Sequence, residues 1–253
     1  MIRIIPACRT CGSNGVKKWR HDRTDWFWSC PAYPACRGRV DDYGSLPAMR
    51  AHPSWGRRAQ GLLNRRVLFL YHFTHVANIA GVIQQGGLLS WAEQERRGAL
   101  ALRPGGTPES RSLARRNGDD DRISLSVAPN TPMLAVRMRE DPRFAILIVN
   151  PAAADAAGVL FTSTNATANS HWRAEPPKGF AAIEFTTATG PADWTDPDWK
   201  RSVQAEILVP VQIPLNLIVG LAFRSHRDLE SVPAGVHEPI QTIIEPDLFP
   251  EVW

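Results

Sequence analysis

The amino-acid sequence predicts an α+β protein: a mixed β-sheet core with helices, preceded by a small cysteine-rich module. Short apolar runs recur along the chain without a helix between each pair, which favours a mixed sheet over an alternating α/β fold. One segment has clear helical periodicity. All four cysteines lie within the first 36 of 253 residues. A chain of this length can bury one core and carry a small appendage.

The apolar runs predict strands over Val67–Phe73, Ile123–Val127, Phe144–Val149, Gly179–Phe185, Gln204–Val209 and Leu217–Ala222. A helix is predicted over 76–85, because Val76, Ile79, Ala80 and Ile83 share one face and two glycines follow. A second helix is predicted over 91–98. Residues 100–122 are polar and rich in glycine, proline and aspartate, which predicts a long loop.

Composition limits the classes of protein that fit. No apolar run approaches the ~18–20 residues that cross a bilayer, and the start of the chain is a poor signal peptide, so we expect a cytoplasmic protein. Residues 1–66 hold 13 Lys/Arg against 4 Asp/Glu, whereas the rest holds 16 against 21. A basic head on an acidic body predicts that the head meets a polyanion; a merely solvated basic surface is the alternative.

The cysteines have the spacing of a four-thiolate zinc site. Two close pairs converge tetrahedrally in a zinc ribbon, and a cytoplasmic chain disfavours disulfides. The predicted ligands are Cys8, Cys11, Cys30 and Cys36. We therefore expect a zinc ribbon over 1–40, a linker rich in Gly, Pro and charge over 41–66, and a main domain over 67–253.

The segment from Phe27 to Cys36 resembles the C-terminal zinc ribbons of bacterial type I topoisomerases. That resemblance implies single-stranded DNA binding by exposed aromatics, for which Trp26 and Trp28 are candidates. Ribbons also dock proteins or act structurally, so those roles stay open.

Two distant segments of the main domain carry unusual polar residues. In residues 70–78, His72 and Thr74 alternate with apolar positions of a short strand, and Asn78 follows. In residues 203–209, Glu206 lies inside an otherwise apolar strand. A charge there costs stability unless it is paired, for example by Arg201, or functional.

Five segments together resemble the DarT family of NAD-dependent ADP-ribosyltransferases, which modify bases in DNA. They occur in the family's order between Leu68 and Leu221: the two segments above, a helix ending in Gly-Leu, a Pro-x-x-Pro-Met-Leu-like segment at 129–134, and a Thr-Asn-Ala turn at 164–166. The resemblance implies an ADP-ribosyltransferase-type fold and NAD as substrate.

The resemblance also implies roles for individual residues. Glu206 would stabilise the oxocarbenium-like transition state as nicotinamide leaves. His72 would bind a ribose hydroxyl, with Thr74 and Asn78 assisting; a satisfied core histidine is the alternative for His72, and His75 is expected to cap or pack. The family uses an arginine upstream of the 123–127 strand to contact the cofactor phosphates or activate the accepting base. Arg115 fits best by distance among Arg103, Arg111, Arg115, Arg116 and Arg122.

Further contacts are expected on either side of the cofactor. Relatives have aromatic residues in the 123–127 strand, so this chain would use smaller polar groups there, Ser124 and Ser126. Trp194, Trp199 and Arg201 lie in the irregular region before Glu206 and are candidates for contacting the accepting nucleotide; a lid or a local core is the alternative for the tryptophans.

Together, the two resemblances predict an enzyme that transfers ADP-ribose from NAD to a base in single-stranded DNA. The resemblance implies a toxin opposed by a macrodomain-containing, DarG-like antitoxin. Transfer to RNA or protein is the nearest alternative, and a non-catalytic protein that binds single-stranded nucleic acid is the alternative from another class.

Overall fold

The computed structural model of the chain describes residues 16–19, 26–30, 32–37, 56–65, 67–99, 101–104, 108–166, 173–190, 192–233 and 240–250. The chain divides into two compact units, Met1–Pro53 and Ser54–Trp253. In the part of the chain that the structure describes, no helix is long and apolar enough to cross a membrane.

The first unit contains an antiparallel pair, β1 (Val16–Trp19) and β2 (Trp26–Ser29). Buried Cys30 follows β2, and the turn after it brings the Cys36 N–H within 2.9 Å of the Ala32 carbonyl oxygen. Cys8 and Cys11 lie outside the described residues. Within the described residues no group of three or more His, Cys, Asp or Glu is placed to hold a metal ion. The zinc ribbon over 1–40 stays a prediction.

The second unit is built on a mixed sheet, which confirms the predicted α+β class. Its strands are β3 (Leu70–His75), β5 (Arg122–Ser126), β6 (Phe144–Val149), β7 (Leu160–Thr162), β8 (Arg173–Ala174), β9 (Glu206–Pro210), β11 (Ile218–Phe223) and β12 (Thr242–Ile244). They lie in the order β12-β11-β6-β3-β5-β9-β7-β8. Neighbours are antiparallel except β11 and β12, which are parallel. Every residue of β6 is buried, so this strand lies in the core.

A second, two-stranded sheet pairs β4 (Gly87–Leu89) with β10 (Gln212–Pro214). β10 continues from β9 through Val211, whose φ of 62° is a left-handed conformation that β-branched residues rarely adopt. The Val211 N–H donates a hydrogen bond to the Asp121 carbonyl oxygen at 2.7 Å, and the Val211 carbonyl oxygen accepts one from the Ser90 N–H at 2.8 Å. These two bonds fix the turn that separates the two sheets.

The helices of this unit flank the sheets. They are α1 (Arg57–Asn64), α2 (Ile79–Gln84), α3 (Trp91–Arg97), α4 (Pro108–Asn117), α5 (Pro132–Glu140), α6 (Lys178–Ala181), α7 (Phe185–Ala188), α8 (Pro197–Ser202) and α9 (His226–Glu230). A 3-10 turn, Val76–Asn78, precedes α2. The helices predicted over 76–85 and 91–98 therefore form in the expected places.

Helix α1 lies where a linker over 41–66 was predicted, so that prediction is wrong for residues 57–64. The Asp155 carboxylate accepts hydrogen bonds from the backbone N–H groups of Gly56, at 2.8 Å, and Arg58, at 3.0 Å. Leu62 and Leu63 are fully buried. Charged residues surround this short apolar pair in the sequence, so the pattern does not predict that the two leucines are buried.

Two further predictions were wrong. The predicted loop over 100–122 contains α4, a helix that buries none of its residues. Without a buried stripe, it gives no helical periodicity in the sequence. The predicted strand 179–185 forms α6 and α7 instead. Its aromatic residues pack on one another as a cluster, with the Phe180 ring 5.4 Å from Phe161 and 5.1 Å from Phe185.

Candidate active site

A cavity of about 640 Å³ opens where β3 and β5 separate. Among the described residues these strands pair at one position, Tyr71 opposite Ser126. The cavity is lined by polar residues from both predicted motif segments, His72, Thr74, Asn78 and Glu206, and by Ser124 and Ser126 of β5. The structure therefore brings together the two segments that sequence analysis singled out, although more than 100 residues separate them.

Glu206 is the first residue of β9, between Ser126 of β5 and Thr162 of β7 in the sheet register. Its Oε2 atom accepts a hydrogen bond from the Ala166 N–H at 2.8 Å, and the Ser124 hydroxyl donates a second. The Thr-Asn-Ala turn predicted from the resemblance thus supplies a backbone donor to this carboxylate. These two hydrogen bonds hold the Glu206 carboxylate in a fixed orientation within the cavity.

Burial raises the pKa of Glu206 to about 7. The hydrogen bonds from Ala166 and Ser124 act in the opposite direction, and the nearby charge of Asp119 adds to the increase. A carboxyl group with a pKa near neutrality in a cleft is a common feature of a functional site. The same burial makes a neighbouring positive charge strongly favourable.

Asp119 is a second carboxylate of the cavity, and sequence analysis did not identify it. It is buried and forms an ion pair with Arg173 of β8, and Arg122 Nε lies 3.8 Å from its Oδ1. Arg173 also donates to the Asn117 carbonyl oxygen at 2.5 Å. Asp119 thereby anchors the end of α4 to the edge of the sheet. Its position in a Gly-Asp-Asp-Asp run gave no signal that separates it from its neighbours.

His72 lies in the cavity wall with Nδ1 at 3.0 Å from the Ser124 carbonyl oxygen. A carbonyl oxygen only accepts, so Nδ1 carries the proton and Nε2 is left as an acceptor. Burial lowers the pKa of His72, which keeps the ring neutral. This is the protonation state that could accept a hydrogen bond from a ribose hydroxyl.

Asn78 lies in the cavity wall, but its amide is engaged inside the protein. Its Nδ2 donates to Thr74 Oγ1 at 3.0 Å and to the Arg103 carbonyl oxygen at 2.6 Å. Its Oδ1 accepts from the Arg103 N–H at 2.9 Å. Both amide hydrogens are used, so Asn78 fixes the segment around Arg103.

His75 caps the turn that carries Asn78. Its Nδ1 accepts from the Ala77 N–H at 3.1 Å, and its Nε2 donates to Asp141 at 3.0 Å. This is the capping role expected for it.

The predicted arginine, Arg115, does not line the cavity. It pairs with Glu95 at 2.8 Å and lies 3.5 Å from Asp120. Arg111, one helical turn earlier on α4, lines the cavity instead. Its Cζ lies 4.7 Å from the centroid of the Trp91 ring, a cation–π contact. The distance along the chain to Ile123 could not separate two arginines that lie one turn apart on the same side of one helix.

The three residues proposed to contact the accepting nucleotide lie away from the cavity. Trp199 is 4% exposed and packs against Ala128 and Val203, with the Trp194 ring 5.0 Å from its own. Arg201 is exposed and lies 3.4 Å from Asp198. The prediction is wrong for Trp199, which is a core residue on the inner side of α8. Trp26 and Trp28 belong to β2 of the first unit, where their side chains lie outside the described part.

Comparison with known proteins relates this geometry to one family. Residues 71–249 match the family model described as ssDNA thymidine ADP-ribosyltransferase, DarT. No curated protein sequence matches the chain.

Similar solved structures include Thermus sp. 2.9 DarT in complex with ADP-ribosylated ssDNA, with a TM-score of 0.61 and 20% identity, over 73% of this chain and 97% of that one. Thermosipho africanus DarTG in complex with ADP-ribose has a TM-score of 0.60 and 22% identity, over 71% of this chain and 50% of that one. Thermus sp. 2.9 DarT in complex with NAD+ has a TM-score of 0.57 and 18% identity, over 78% and 100%. These structures share the fold.

Proposed function

The chain belongs to the DarT family of NAD-dependent ssDNA thymidine ADP-ribosyltransferases, and we propose that the cavity around Glu206 is where it carries out this reaction. The observation that supports the site is the position of Glu206 itself. It is held by Ala166 and Ser124 in a cavity that also contains the neutral ring of His72. This combination can bind a ribose and stabilise positive charge on it.

In the proposed reaction, the bond between the ribose and the nicotinamide nitrogen breaks, and nicotinamide leaves with the bonding electron pair. Positive charge builds on the ribose, and the Glu206 carboxylate stabilises it. A thymine atom of the DNA then bonds to the same ribose carbon and releases its proton. The products are nicotinamide and ADP-ribosylated DNA.

Two other residues have proposed roles in this cavity. His72 accepts a hydrogen bond from a ribose hydroxyl through Nε2, because Nδ1 is committed to Ser124. Arg111 takes the role predicted for Arg115, contact with the cofactor phosphates or the accepting base, because it is the one of the two that lines the cavity. Ser126 and Thr74 are further polar groups of the wall, and Asn78 acts on the protein segment beside it.

The biological setting is proposed from the same family. Thermosipho africanus DarTG is one of the solved structures with this fold, which supports a cytoplasmic toxin opposed by a DarG-like macrodomain partner. Coexpression with such a macrodomain should restore growth of cells that express this chain. The same partner, added to DNA modified by the chain, should remove the mark.

The four cysteines of the first unit are proposed to bind one zinc ion. Support comes from their spacing and from the turn that carries Cys30 and Cys36. Zinc would supply stability that so small a unit cannot obtain from an apolar core. Elemental analysis should give about one zinc per chain, and Cys30→Ser should lose it. A Cys30→Ser variant with the same zinc content as the wild type would exclude Cys30 as a zinc ligand.

The proposed site is tested with an oligonucleotide that contains one thymidine. Purified protein, NAD and the oligonucleotide are incubated, and digested nucleosides are analysed by mass spectrometry. We expect ADP-ribosylated thymidine with the wild type and a loss of about 10²–10³ or more in rate with Glu206→Gln. Glu184→Gln, an exposed residue, is the matched control. Transfer by Glu206→Gln within tenfold of the wild type would exclude the assigned site. ADP-ribosylation of RNA or protein offered in place of the oligonucleotide would indicate another acceptor.

A further inference from the structure

A short segment at the edge of the cavity exposes an apolar side chain to water. Residues 101–104 lie between α3 and α4, and three of them line the cavity: Ala101, Leu102 and Pro104. Leu102 is 77% exposed, the highest fraction among the described large apolar residues. Because it also lines the cavity, Leu102 is available for contact with an apolar part of a substrate.

The backbone of this segment is held firmly on both sides of Leu102. Asn78 binds both backbone polar groups of Arg103, and Gln94 Oε1 accepts from the Ala101 N–H at 3.0 Å. Gln94 is itself fixed by donating to the Leu89 carbonyl oxygen at 2.9 Å. Two buried or half-buried amide side chains therefore hold the Leu102 backbone in place. A side chain presented by a fixed backbone loses little conformational freedom when a ligand binds.

Arg103 adds a positive charge next to this apolar group. It is exposed, and in the described part of the chain no carboxylate forms an ion pair with its guanidinium. An apolar surface for a base and an adjacent cation for a phosphate are the two elements of single-stranded nucleic acid binding.

We propose that Leu102 and Arg103 bind the DNA nucleotide adjacent to the modified thymidine, Leu102 packing on its base and Arg103 contacting its phosphate. The inference rests on the proposed function of the cavity, because the thymidine must reach the ribose beside Glu206. Asn78 and Gln94 then act as positioning residues that set where the strand enters. This gives Asn78 a role in acceptor binding rather than a direct contact with NAD.

The test measures acceptor and cofactor kinetics separately. Leu102→Ser and Arg103→Gln are assayed with a single-thymidine oligonucleotide, varying DNA and NAD in turn. We expect each variant to raise the KM for DNA by roughly tenfold, while kcat and the KM for NAD stay within about twofold. Arg103→Gln should also reduce the dependence of DNA affinity on log salt by about 0.7, the contribution of one phosphate contact to a single strand. Leu102→Met should retain the wild-type KM.

Matched controls come from α5. Val136 is 50% exposed and Arg139 is exposed, and neither lines the cavity. Val136→Ser and Arg139→Gln change the same kinds of group and should leave the KM for DNA unchanged.

Three results would overturn the inference. An unchanged KM for DNA in both rim variants, with wild-type transfer intact, would show that the rim does not bind the acceptor although the reaction is assigned correctly. A rise in the KM for NAD instead would place the rim on the cofactor. Wild-type protein that transfers nothing to the oligonucleotide would remove the proposed function, and the inference with it.

Discussion

The Arg111 guanidinium lies over the Trp91 indole, with 4.7 Å between its Cζ and the ring centroid. The Trp91 ring is fixed in turn, because its Nε1 donates to Glu95 Oε1 at 2.8 Å. Glu95 accepts from Arg115 through both carboxylate oxygens, at 2.8 and 2.9 Å. Arg115 is linked to the cavity through Glu95 and Trp91 and through Asp120, whereas Arg111 lines the cavity itself.

This arrangement predicts unequal effects of the two arginines. Arg111→Ala should lower kcat/KM for transfer by about 10²–10³, since it removes a charge placed at the reacting groups. Arg115→Ala should lower it by less than tenfold, because it removes the ion pairs with Glu95 and Asp120 but no side chain that lines the cavity. Arg111→Lys should not restore the rate, because an ammonium group lacks the planar stack on Trp91. Equal losses from Arg111→Ala and Arg115→Ala would contradict the assignment.

His72 should act through its Nε2 atom. His72→Ala should raise the KM for NAD by about tenfold and slow transfer, because the ribose loses its orientation. His72→Gln, which retains a polar group near Nε2, should keep more activity than His72→Asn, which retains only the donor to Ser124. Melting curves for all three variants provide the control. Lost stability with unchanged kinetics would identify His72 as a core residue.

The pKa of Glu206, raised by burial to about 7, predicts the pH dependence of the reaction. The carboxylate is the active form, so kcat/KM for NAD should rise with pH and level off above about 7. Below that value it should fall about tenfold per pH unit. A kcat/KM profile, which reports the free enzyme, measures this directly. A profile that is flat between pH 5 and 8 would show that Glu206 is already ionised throughout.

Asp155 should be required for the stability of the second unit. Asp155→Ala removes the acceptor for the Gly56 and Arg58 N–H groups at the start of α1. The loss of a helix cap typically costs about 0.5–2 kcal/mol in the free energy of unfolding. Urea denaturation measures the change, with exposed Glu230→Ala as control. A separate early transition for α1 would mean that this helix is not part of the cooperative body.

Removing the first unit should weaken DNA binding. Because α1 belongs to the body, the cut falls after Pro53, and residues 1–53 hold nine Lys/Arg against four Asp/Glu, a net charge of +5. Deleting them should raise the KM for DNA by about tenfold and flatten its salt dependence, since fewer counterions are released. The KM for NAD and the modified base should not change. Unaltered DNA affinity would favour a protein-docking role for this unit.

The order of the motifs along the chain predicted which segments form the candidate cavity better than it predicted the contacts of individual side chains. Glu206 and His72 could be predicted because each sits in a strand whose apolar neighbours make a polar residue conspicuous. Arg111 could not be separated from Arg115, because the two lie one turn apart on the same side of α4 and only the folded structure shows that Arg111 lines the cavity. The core position of Trp199 could not be distinguished from an acceptor contact, because short α8 shows too little periodicity to indicate its inner side. Asp119 lies among other aspartates, and only its burial against Arg173 separates it from them.

The capping of α1 by Asp155 also determines where this protein can be divided and recombined. The match to the family begins at residue 71, but Leu62 and Leu63 of α1 are as buried as any residue in the sheet. A fusion that joined a foreign targeting module directly at residue 71 would leave an open hydrophobic groove beside Asp155. An N-terminal module can therefore be exchanged, in evolution or in the laboratory, only at a junction upstream of Gly56.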